Sequence, residues 1–195
     1  METTTQLPEP LIHVGKPKLK SKDIKKLIEL FEKKEQEIIN NNTYGIFEFF
    51  DIIKDTSEIK EKIIERITNS AYEILEEYIF TFLHASDSDI DFLDFKLNEI
   101  IDIRMFKLKA GEESGYGFDA KNQFNSNKFL SLYIFLPGDG NLNLEFKFQN
   151  LRLQFDLTEA EYIIFPAYFT HAHRFLKVDK DVYFLKINFY IGGVD

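Results

Sequence analysis

Two kinds of hydrophobic periodicity divide the chain. Over residues 21–84 the apolar positions recur at helical spacing, whereas from residue 92 onward short apolar runs alternate with turns. Spacings of three and four residues are typical of a helix that buries one face, and short runs bounded by Gly and Pro are typical of strands. The pattern therefore predicts two helices followed by an antiparallel β region.

The first helix is predicted over 22–39 and the second over 57–83. Ser21 is placed to cap the first helix, and Asp55 with Glu58 forms a capping-box pattern before the second. His84 follows the second helix at its C-terminal end, where a cation is favoured. Each helix is too apolar on one side to stand alone, so both should pack on the outer face of a sheet. The aromatic segment 43–50 between them fits a short strand or a packed loop.

Strands are predicted near 100–109, 128–136, 142–148, 151–157, 161–165 and 181–191. The segment 142–148 alternates cleanly between apolar and polar residues, as a strand with one buried face does. The segment 128–136 is apolar on both faces and is expected to be a central strand. Many short strands separated by Gly and Pro indicate a β-sandwich, jelly roll or barrel. The predicted fold class is α+β, mostly β, with two N-terminal helices buttressing the β core.

Residues 1–20 are predicted to form an extended arm, because Pro8, Pro10 and Pro17 interrupt any helix. Within the arm, residues 11–14 are able to pair as an edge strand, with His13 half-exposed. A length of 195 residues fits one domain. We therefore expect a single domain over 1–195, made of the arm (1–20), the helices (21–84) and the β core (92–192).

Composition excludes several classes of protein. A net charge of −9 and a pI near 5.0 argue against nucleic-acid binding, and the basic run 16–26 is interpreted as a solvated entry to the first helix. The absence of cysteine excludes disulfides, zinc thiolates and cysteine nucleophiles. The sequence also lacks a membrane-spanning run and a signal peptide, so a cytoplasmic location is expected. The Lys, Ile, Asn and Phe bias suits an AT-rich genome such as that of a phage, which would place the protein in the host cytoplasm or the virion.

Familiar catalytic motifs are also missing from the sequence. It contains no P-loop, no dinucleotide-binding fingerprint and no G-x-S-x-G nucleophile elbow. The glycine-rich segment 111–117 is not followed by a helical pattern. Candidate chemistry therefore concentrates in residues 163–174, where an apolar strand and Pro166 precede His171 and His173, two of the four histidines.

Residues 146–153 and 163–174 together resemble the C-terminal half of the prolyl-4-hydroxylase-like 2-oxoglutarate/Fe(II) oxygenases, and most of all the version found in tailed cyanophages. The resemblance extends over about 11–192 and is most specific in the last third. It implies a double-stranded β-helix, that is, a jelly roll. It also implies an iron site made from a His-x-Asp/Glu pair and a distant histidine, and a basic residue on the last long strand that pairs with 2-oxoglutarate.

The resemblance places the distant histidine at His173 and makes His171 a neighbour. Asp119 falls on the first histidine in one alignment, with Lys121 on the acid, and on the acid itself when the alignment shifts by two, with Gly117 on the histidine. No histidine lies between His84 and His171, so the triad is incomplete in either alignment. Val182 occupies the position of the basic residue.

Lys186 lies four residues after Val182 with the same side-chain parity and is the candidate cofactor-binding residue. Asn188 shares that parity and suggests a partly polar cavity. The candidate metal ligands are His173 and Asp119. Two ligands would hold Fe(II) weakly, and Lys121 beside them would repel it.

These features support two hypotheses and a weaker third. The first is a catalytically degenerate protein that binds or assembles with a protein partner or a small-molecule ligand, without nucleic acid or membrane. The second is an active hydroxylase with an atypical metal site, which would use Fe(II) and 2-oxoglutarate. The third is a sugar- or peptide-binding jelly roll that uses residues 116–118 and Tyr168. Homo-oligomer formation and virion assembly stay open.

Overall fold

The computed structural model describes residues 11–41, 43–44, 47–52, 61–83, 97–120, 127–136, 140–149, 151–157 and 161–191. Two helices, α1 (Ser21–Asn41) and α2 (Glu61–Leu83), lie among the first elements of the chain. The strands are β1 (His13–Gly15), β2 (Thr43–Tyr44), β3 (Phe47–Asp51), β4 (Leu97–Leu108), β5 (Lys128–Phe135), β6 (Leu142–Phe148), β7 (Leu151–Leu157), β8 (Tyr162–Pro166), β9 (Ala172–Phe175) and β10 (Val182–Ile191).

The strands form two antiparallel sheets. The large sheet has seven strands in the order β1-β8-β5-β10-β4-β3-β2, and the small sheet has three in the order β7-β6-β9. The last long strand, β10, lies between β5 and β4 and pairs with both along most of its length. Each side chain of β10 therefore lies beside the side chains of the residues opposite it on β4 and β5.

The large sheet is buried on both faces, because successive side chains along a strand point to opposite sides. On one face, residues such as Leu132, Ile164 and Leu185 pack with both helices in a helix-side core. On the other face, residues such as Phe135, Phe165 and Phe184 pack with the small sheet in an inter-sheet core. The molecule is thus a two-sheet sandwich with the helices on its outer side.

Helix α1 is fastened to the sheet by one aromatic and one charged contact. Phe31 is fully buried in the helix-side core, with its ring edge-on to Tyr183 at 5.8 Å between centroids. Lys107 is only 4% exposed, and its ammonium group reaches Glu32 at 3.0 Å and Asp181 at 3.3 Å. A buried ammonium group needs such partners, because desolvating an unpaired charge is costly.

The sequence predictions of the main elements are confirmed within a few residues. Strand β5 is interior, both helices cover the sheet, and β1 forms an edge strand in the arm. The segment 43–50, left open between strand and loop, supplies β2 and most of β3. Strand β9 was not predicted, because a run of four residues that follows a 3-10 turn at Phe169–His171 is too short to show a period. The capping box at 55–58 and His84 lie outside the described residues.

In the part of the chain that the structure describes, neither helix combines the length and hydrophobicity that crossing a membrane requires.

We predict that Phe31→Ala lowers the free energy of unfolding by about 3–5 kcal/mol, because it leaves a cavity between α1 and the sheet. Phe80→Ala on α2 is the matched control, since Phe80 is 73% exposed, and it should change stability by less than about 1 kcal/mol. Urea unfolding of both variants measures the difference. Equal losses in the two variants would contradict the packing described for α1.

Candidate functional site

A cavity of about 260 Å³ opens between the large sheet and the segment 114–119. Its walls combine charged, polar and aromatic side chains from β4, β5, β9, β10 and that segment. The lining residues are Asp102, Arg104, Phe106, Ser114, Gly115, Gly117, Phe118, Asp119, Lys128, Tyr133, His173, Phe175, Phe184, Lys186, Asn188 and Tyr190. A concave site with a few convergent polar groups is the usual form of a ligand pocket.

Strand register brings most of the polar groups together. Lys186 on β10 lies opposite Arg104 on β4 and Tyr133 on β5. Residues directly opposite on neighbouring strands point to the same face, so these side chains meet in one row across the cavity. Two positions along, Asn188 lies opposite Asp102 on β4 in the next row.

Lys128 reaches the cavity through an irregularity in the sheet. Its parity along β5 matches that of Leu130 and Leu132, which pack against the helices. A register shift between Phe189 and Tyr190 pairs Lys128 with Tyr190, a cavity residue. Such shifts are a common way of redirecting a side chain beside a site.

Backbone hydrogen bonds pair the segment that carries Asp119 with β9. The Gly117 and His173 backbones exchange bonds of 2.9 and 2.8 Å, which makes the two residues an antiparallel pair. Farther along, the Ala120 amide donates to the Ala167 carbonyl at 3.0 Å. These bonds hold Asp119 close to His173 on the cavity wall.

Four side chains form a connected cluster at the centre of the cavity. The Tyr133 hydroxyl lies 3.0 Å from Asp119 Oδ2 and 3.0 Å from His173 Nε2, and so joins the two. The Lys186 ammonium group donates to Asp119 Oδ1 and lies 5.3 Å from the centre of the Tyr133 ring. Both carboxylate oxygens of Asp119 are therefore engaged by partners from the protein itself.

Both ring nitrogens of His173 are engaged by hydrogen-bond partners within the protein. Nδ1 lies 3.0 Å from the His171 carbonyl oxygen, which only accepts, so Nδ1 carries a proton. Tyr133 has one hydroxyl proton to share between Asp119 Oδ2 and His173 Nε2, so Nε2 accepts from the phenol when it is unprotonated and donates to the phenol oxygen when it is protonated. In either state Nε2 is engaged by Tyr133 and presents no free lone pair to a metal.

His171 is held away from the cavity. Its Nδ1 lies 2.9 Å from the Thr170 hydroxyl oxygen, and its ring meets Phe148 edge-on at 5.1 Å between centroids. The residue is buried but does not line the cavity. The expectation that His171 is a neighbour of the site fits this position.

Two opposing effects act on the Asp119 carboxyl group. Burial opposes its ionisation, but the positive charges of Lys186 and His173 and the hydrogen bond from Lys186 outweigh that penalty. The pKa of Asp119 is therefore held well below its usual range. At neutral pH Asp119 is a carboxylate whose charge is already compensated inside the protein.

A second cluster surrounds Asp102 at the other end of the cavity. Its carboxylate lies 2.7 Å from Arg104 Nε, 2.9 Å from Asn188 Nδ2 and 3.5 Å from the Tyr190 hydroxyl. Lys128 Nζ is farther away, 3.9 Å from Asp102 Oδ2. Burial, followed by repulsion from Lys186, lowers the pKa of Lys128, while Asp119 and Asp102 oppose the change.

The residues present do not fit a facial-triad iron site. Such a site needs two histidines and one carboxylate, whereas the cavity lining offers a single imidazole, His173. Of its two carboxylates, Asp119 is bound by the Lys186 ammonium group and Asp102 is paired with Arg104. Among the described residues, no group of three or more His, Cys, Asp or Glu side chains could hold a metal ion. Lys121, expected beside the site, lies outside the described residues.

The structure brings together the three residues singled out from the sequence. Asp119, His173 and Lys186 meet in one cluster, and their roles as ligands remain predictions. Val182 instead packs in the inter-sheet core, where it meets Gly140. Tyr116 points away from the cavity and bonds to Glu145 beside Arg174.

Four cavity residues were not predicted from the sequence: Tyr133, Asp102, Arg104 and Lys128. For Tyr133, its parity with Phe135 on β5 could have indicated that its side chain faces the same side of the sheet.

Solved structures provide the clearest comparison. A Pseudomonas putida prolyl-4-hydroxylase superposes with a TM-score of 0.66 at 12% identity, covering 93% of each chain. A viral collagen prolyl hydroxylase from Paramecium bursaria Chlorella virus-1, solved as a 2OG complex, gives 0.63 at 14% identity, covering 94% of this chain and 97% of that one. The chain has the fold of the prolyl 4-hydroxylases. A Trichoplax adhaerens prolyl hydroxylase in complex with a peptide of hypoxia inducible factor gives 0.66 at 11% identity, covering 95% and 86%.

Comparison of the sequence alone identifies no relative, because no protein-family model and no curated protein matches the chain. The prolyl hydroxylase fold is confirmed over nearly the whole chain, as the resemblance of residues 146–153 and 163–174 implied. At these identities the likeness concerns the fold, and activity has to be argued from the cavity itself.

The Lys186–Asp119 pair yields a stability prediction. Lys186→Met should lower the free energy of unfolding by about 3 kcal/mol, because it leaves a buried carboxylate without its main counter-charge. Adding Asp119→Asn should restore much of the loss, so the two single effects should not add. Urea unfolding of the two single variants and the double variant measures the coupling. Lys147→Met on β6 is the control, and strictly additive losses at 186 and 119 would contradict the pairing.

Proposed function

We propose that this protein is a catalytically degenerate relative of the 2-oxoglutarate oxygenases that uses their fold to bind a ligand. The observation that carries the proposal is the saturation of Asp119 by Lys186 and Tyr133. In an iron enzyme the corresponding carboxylate must offer its charge to the metal. Here that charge is offset by an ammonium group from the central strand of the sheet.

Binding a divalent cation at Asp119 and His173 would require two groups to move. The Tyr133 hydroxyl would have to leave the space between the two residues, and Lys186 would have to withdraw from Asp119. An ammonium group left beside the metal would repel it, and one left in the cavity without Asp119 would lose its main partner. These costs lower the affinity for a metal. Two protein ligands alone would in any case bind a metal only weakly.

Gly117 marks the position from which a third ligand could come. Its backbone is paired with that of His173, and side chains of paired residues in an antiparallel arrangement share a face. A histidine at 117 would therefore project toward Asp119 and His173. This position agrees with the alignment in which Gly117 corresponds to the histidine of the His-x-Asp/Glu pair and Asp119 corresponds to its acid. Gly117 is not among the described glycines with positive φ, so a side chain there meets no backbone strain.

The alternative function is an active Fe(II)/2-oxoglutarate hydroxylase with an atypical metal site. One observation favours it: the bond from Nδ1 to the His171 carbonyl directs Nε2 of His173 toward the cavity and Asp119, as a ligating histidine requires. In that case Lys186 would turn from Asp119 to the 2-oxoglutarate carboxylate. A role in a phage particle or in the host cytoplasm also remains a proposal, which the similarity of the fold to a viral enzyme supports.

Metal titration distinguishes the two functions. We expect millimolar Mn(II), added to the wild-type protein already in millimolar 2-oxoglutarate, to leave its melting temperature unchanged. The double variant Gly117→His/Lys186→Met should melt at a higher temperature when metal is added, because it supplies a third ligand and removes the repelling cation. A metal concentration of a hundred times Kd would add about 2.7 kcal/mol of stability, or roughly 5–10 °C for a protein of this size.

The control is the same double variant with His173→Ala, in which the rise should disappear. A rise in the wild-type protein that His173→Ala abolishes would overturn the proposed function and favour the hydroxylase. If the double variant folds but shows no rise, the positional argument about Gly117 is wrong.

A further inference from the structure

We infer that the cavity binds a small organic monocarboxylate, with Lys128 as the main contact for its carboxylate group. This inference rests on the proposed function and deepens it by naming the class of ligand. The position differs from that of the Asp119–His173 pair and from Val182, where the family resemblance expects a basic residue. It depends on the charge balance, the burial of Lys128 and the shape of the cavity.

The cavity carries a surplus of positive charge in an acidic protein. Its described lining includes three basic residues, Arg104, Lys128 and Lys186, against two acidic residues, Asp102 and Asp119. The chain as a whole has a net charge of −9. A concave surface with a charge opposite to that of the surrounding protein concentrates counter-ions of one sign. One carboxylate would bring these five side chains to neutrality.

Among the described residues, Lys128 is the basic residue of the cavity whose charge is least well compensated, with its ammonium group 5.8 Å from the centre of the Tyr190 ring. Lys186 is bound to Asp119, and Arg104 lies 2.7 Å from Asp102. The residue Lys128 is 7% exposed, yet the acidic group near its ammonium, Asp102 Oδ2, is 3.9 Å away, beyond hydrogen-bond length. A buried ammonium group at that separation retains hydrogen-bond donors that an anion can use.

Asp102 cannot easily move closer to Lys128, because other groups already hold its carboxylate. Arg104 Nε forms an ion pair with one oxygen at 2.7 Å, and the Asn188 amide donates a hydrogen bond to the other at 2.9 Å. Asn188 is in turn held by its position between β4 and β5, where the Ser131 hydroxyl donates to its Oδ1 at 3.3 Å. The lowered pKa of Lys128 agrees with this unsatisfied state, since burial and Lys186 both disfavour its charge.

The cavity is long and partly apolar, which limits the body of the ligand. Phe184 and Tyr190 line it from opposite ends of β10, about 20 Å apart at about 3.4 Å per residue. The Phe184 ring is stacked between Phe106 at 5.2 Å and Phe175 at 5.0 Å. A volume of 260 Å³ corresponds to about nine waters at about 30 Å³ each. A short unbranched or aromatic carboxylate fits these dimensions.

The test uses hexanoate, which combines one carboxylate with a short apolar chain, and hexanamide, which has the same shape without the charge. Both are titrated against the full-length protein in the presence of EDTA, by calorimetry and by thermal melting. We expect hexanoate to bind and to raise the melting temperature, whereas hexanamide should bind at least tenfold more weakly. Lys128→Met should weaken hexanoate binding at least tenfold, and Lys128→Arg, which keeps the charge, should retain it. Lys147→Met on β6 should bind hexanoate like the wild-type protein.

Failure of the inference is distinguishable from failure of the proposed function. If hexanoate does not bind, or binds Lys128→Met as tightly as the wild-type protein, the carboxylate site is wrong and the metal titration is unaffected. If hexanamide binds as tightly as hexanoate, the cavity selects an apolar body and the charge argument fails. Metal binding at His173 in the wild-type protein overturns the proposed function whatever hexanoate does.

Discussion

The arrangement of the cavity depends on the buried ion pair between Lys186 and Asp119. Lys186 comes from β10, an interior strand of the large sheet, and Asp119 from a segment held to the small sheet by the pairing of Gly117 with His173. The pair therefore connects the two sheets across the cavity. Because an unpaired charge is costly in such a place, each residue constrains the position of the other.

The same pair determines what else the cavity can do. With Asp119 engaged, the Tyr133 hydroxyl completes the chain of hydrogen bonds to His173, and the charges at this end of the cavity are compensated. At the other end, Asp102 is held by Arg104 and Asn188, and the Lys128 ammonium group lies 3.9 Å from Asp102 Oδ2, beyond hydrogen-bond length. The distribution of charge thus favours an organic anion at Lys128 over a cation at Asp119.

Sequence periodicity predicted much of the fold, because burying one face of a helix or strand imposes a regular spacing on its apolar residues. The two-sided apolar run of β5 and the alternation of β6 follow directly from their places in the two cores. The parity of Lys186 and Asn188 on β10 correctly indicated a shared face. In contrast, the position of Lys128 depends on a register shift, and the position of Asp119 depends on backbone bonds between distant segments. Neither effect has a signature in the local order of residues, and no sequence pattern associates Tyr133 with His173.

We propose that Tyr133 and Lys186 occupy the space at Asp119 and His173 in which an oxygenase of this fold would bind iron. A crystal structure from crystals grown with Mn(II) and 2-oxoglutarate, with data collected for anomalous scattering of manganese, tests it most directly. We predict no anomalous peak within bonding distance of His173 Nε2, with the Tyr133 hydroxyl between His173 and Asp119 and the Lys186 ammonium group on Asp119. A manganese peak bonded to both His173 and Asp119, with Lys186 turned away, would contradict this account.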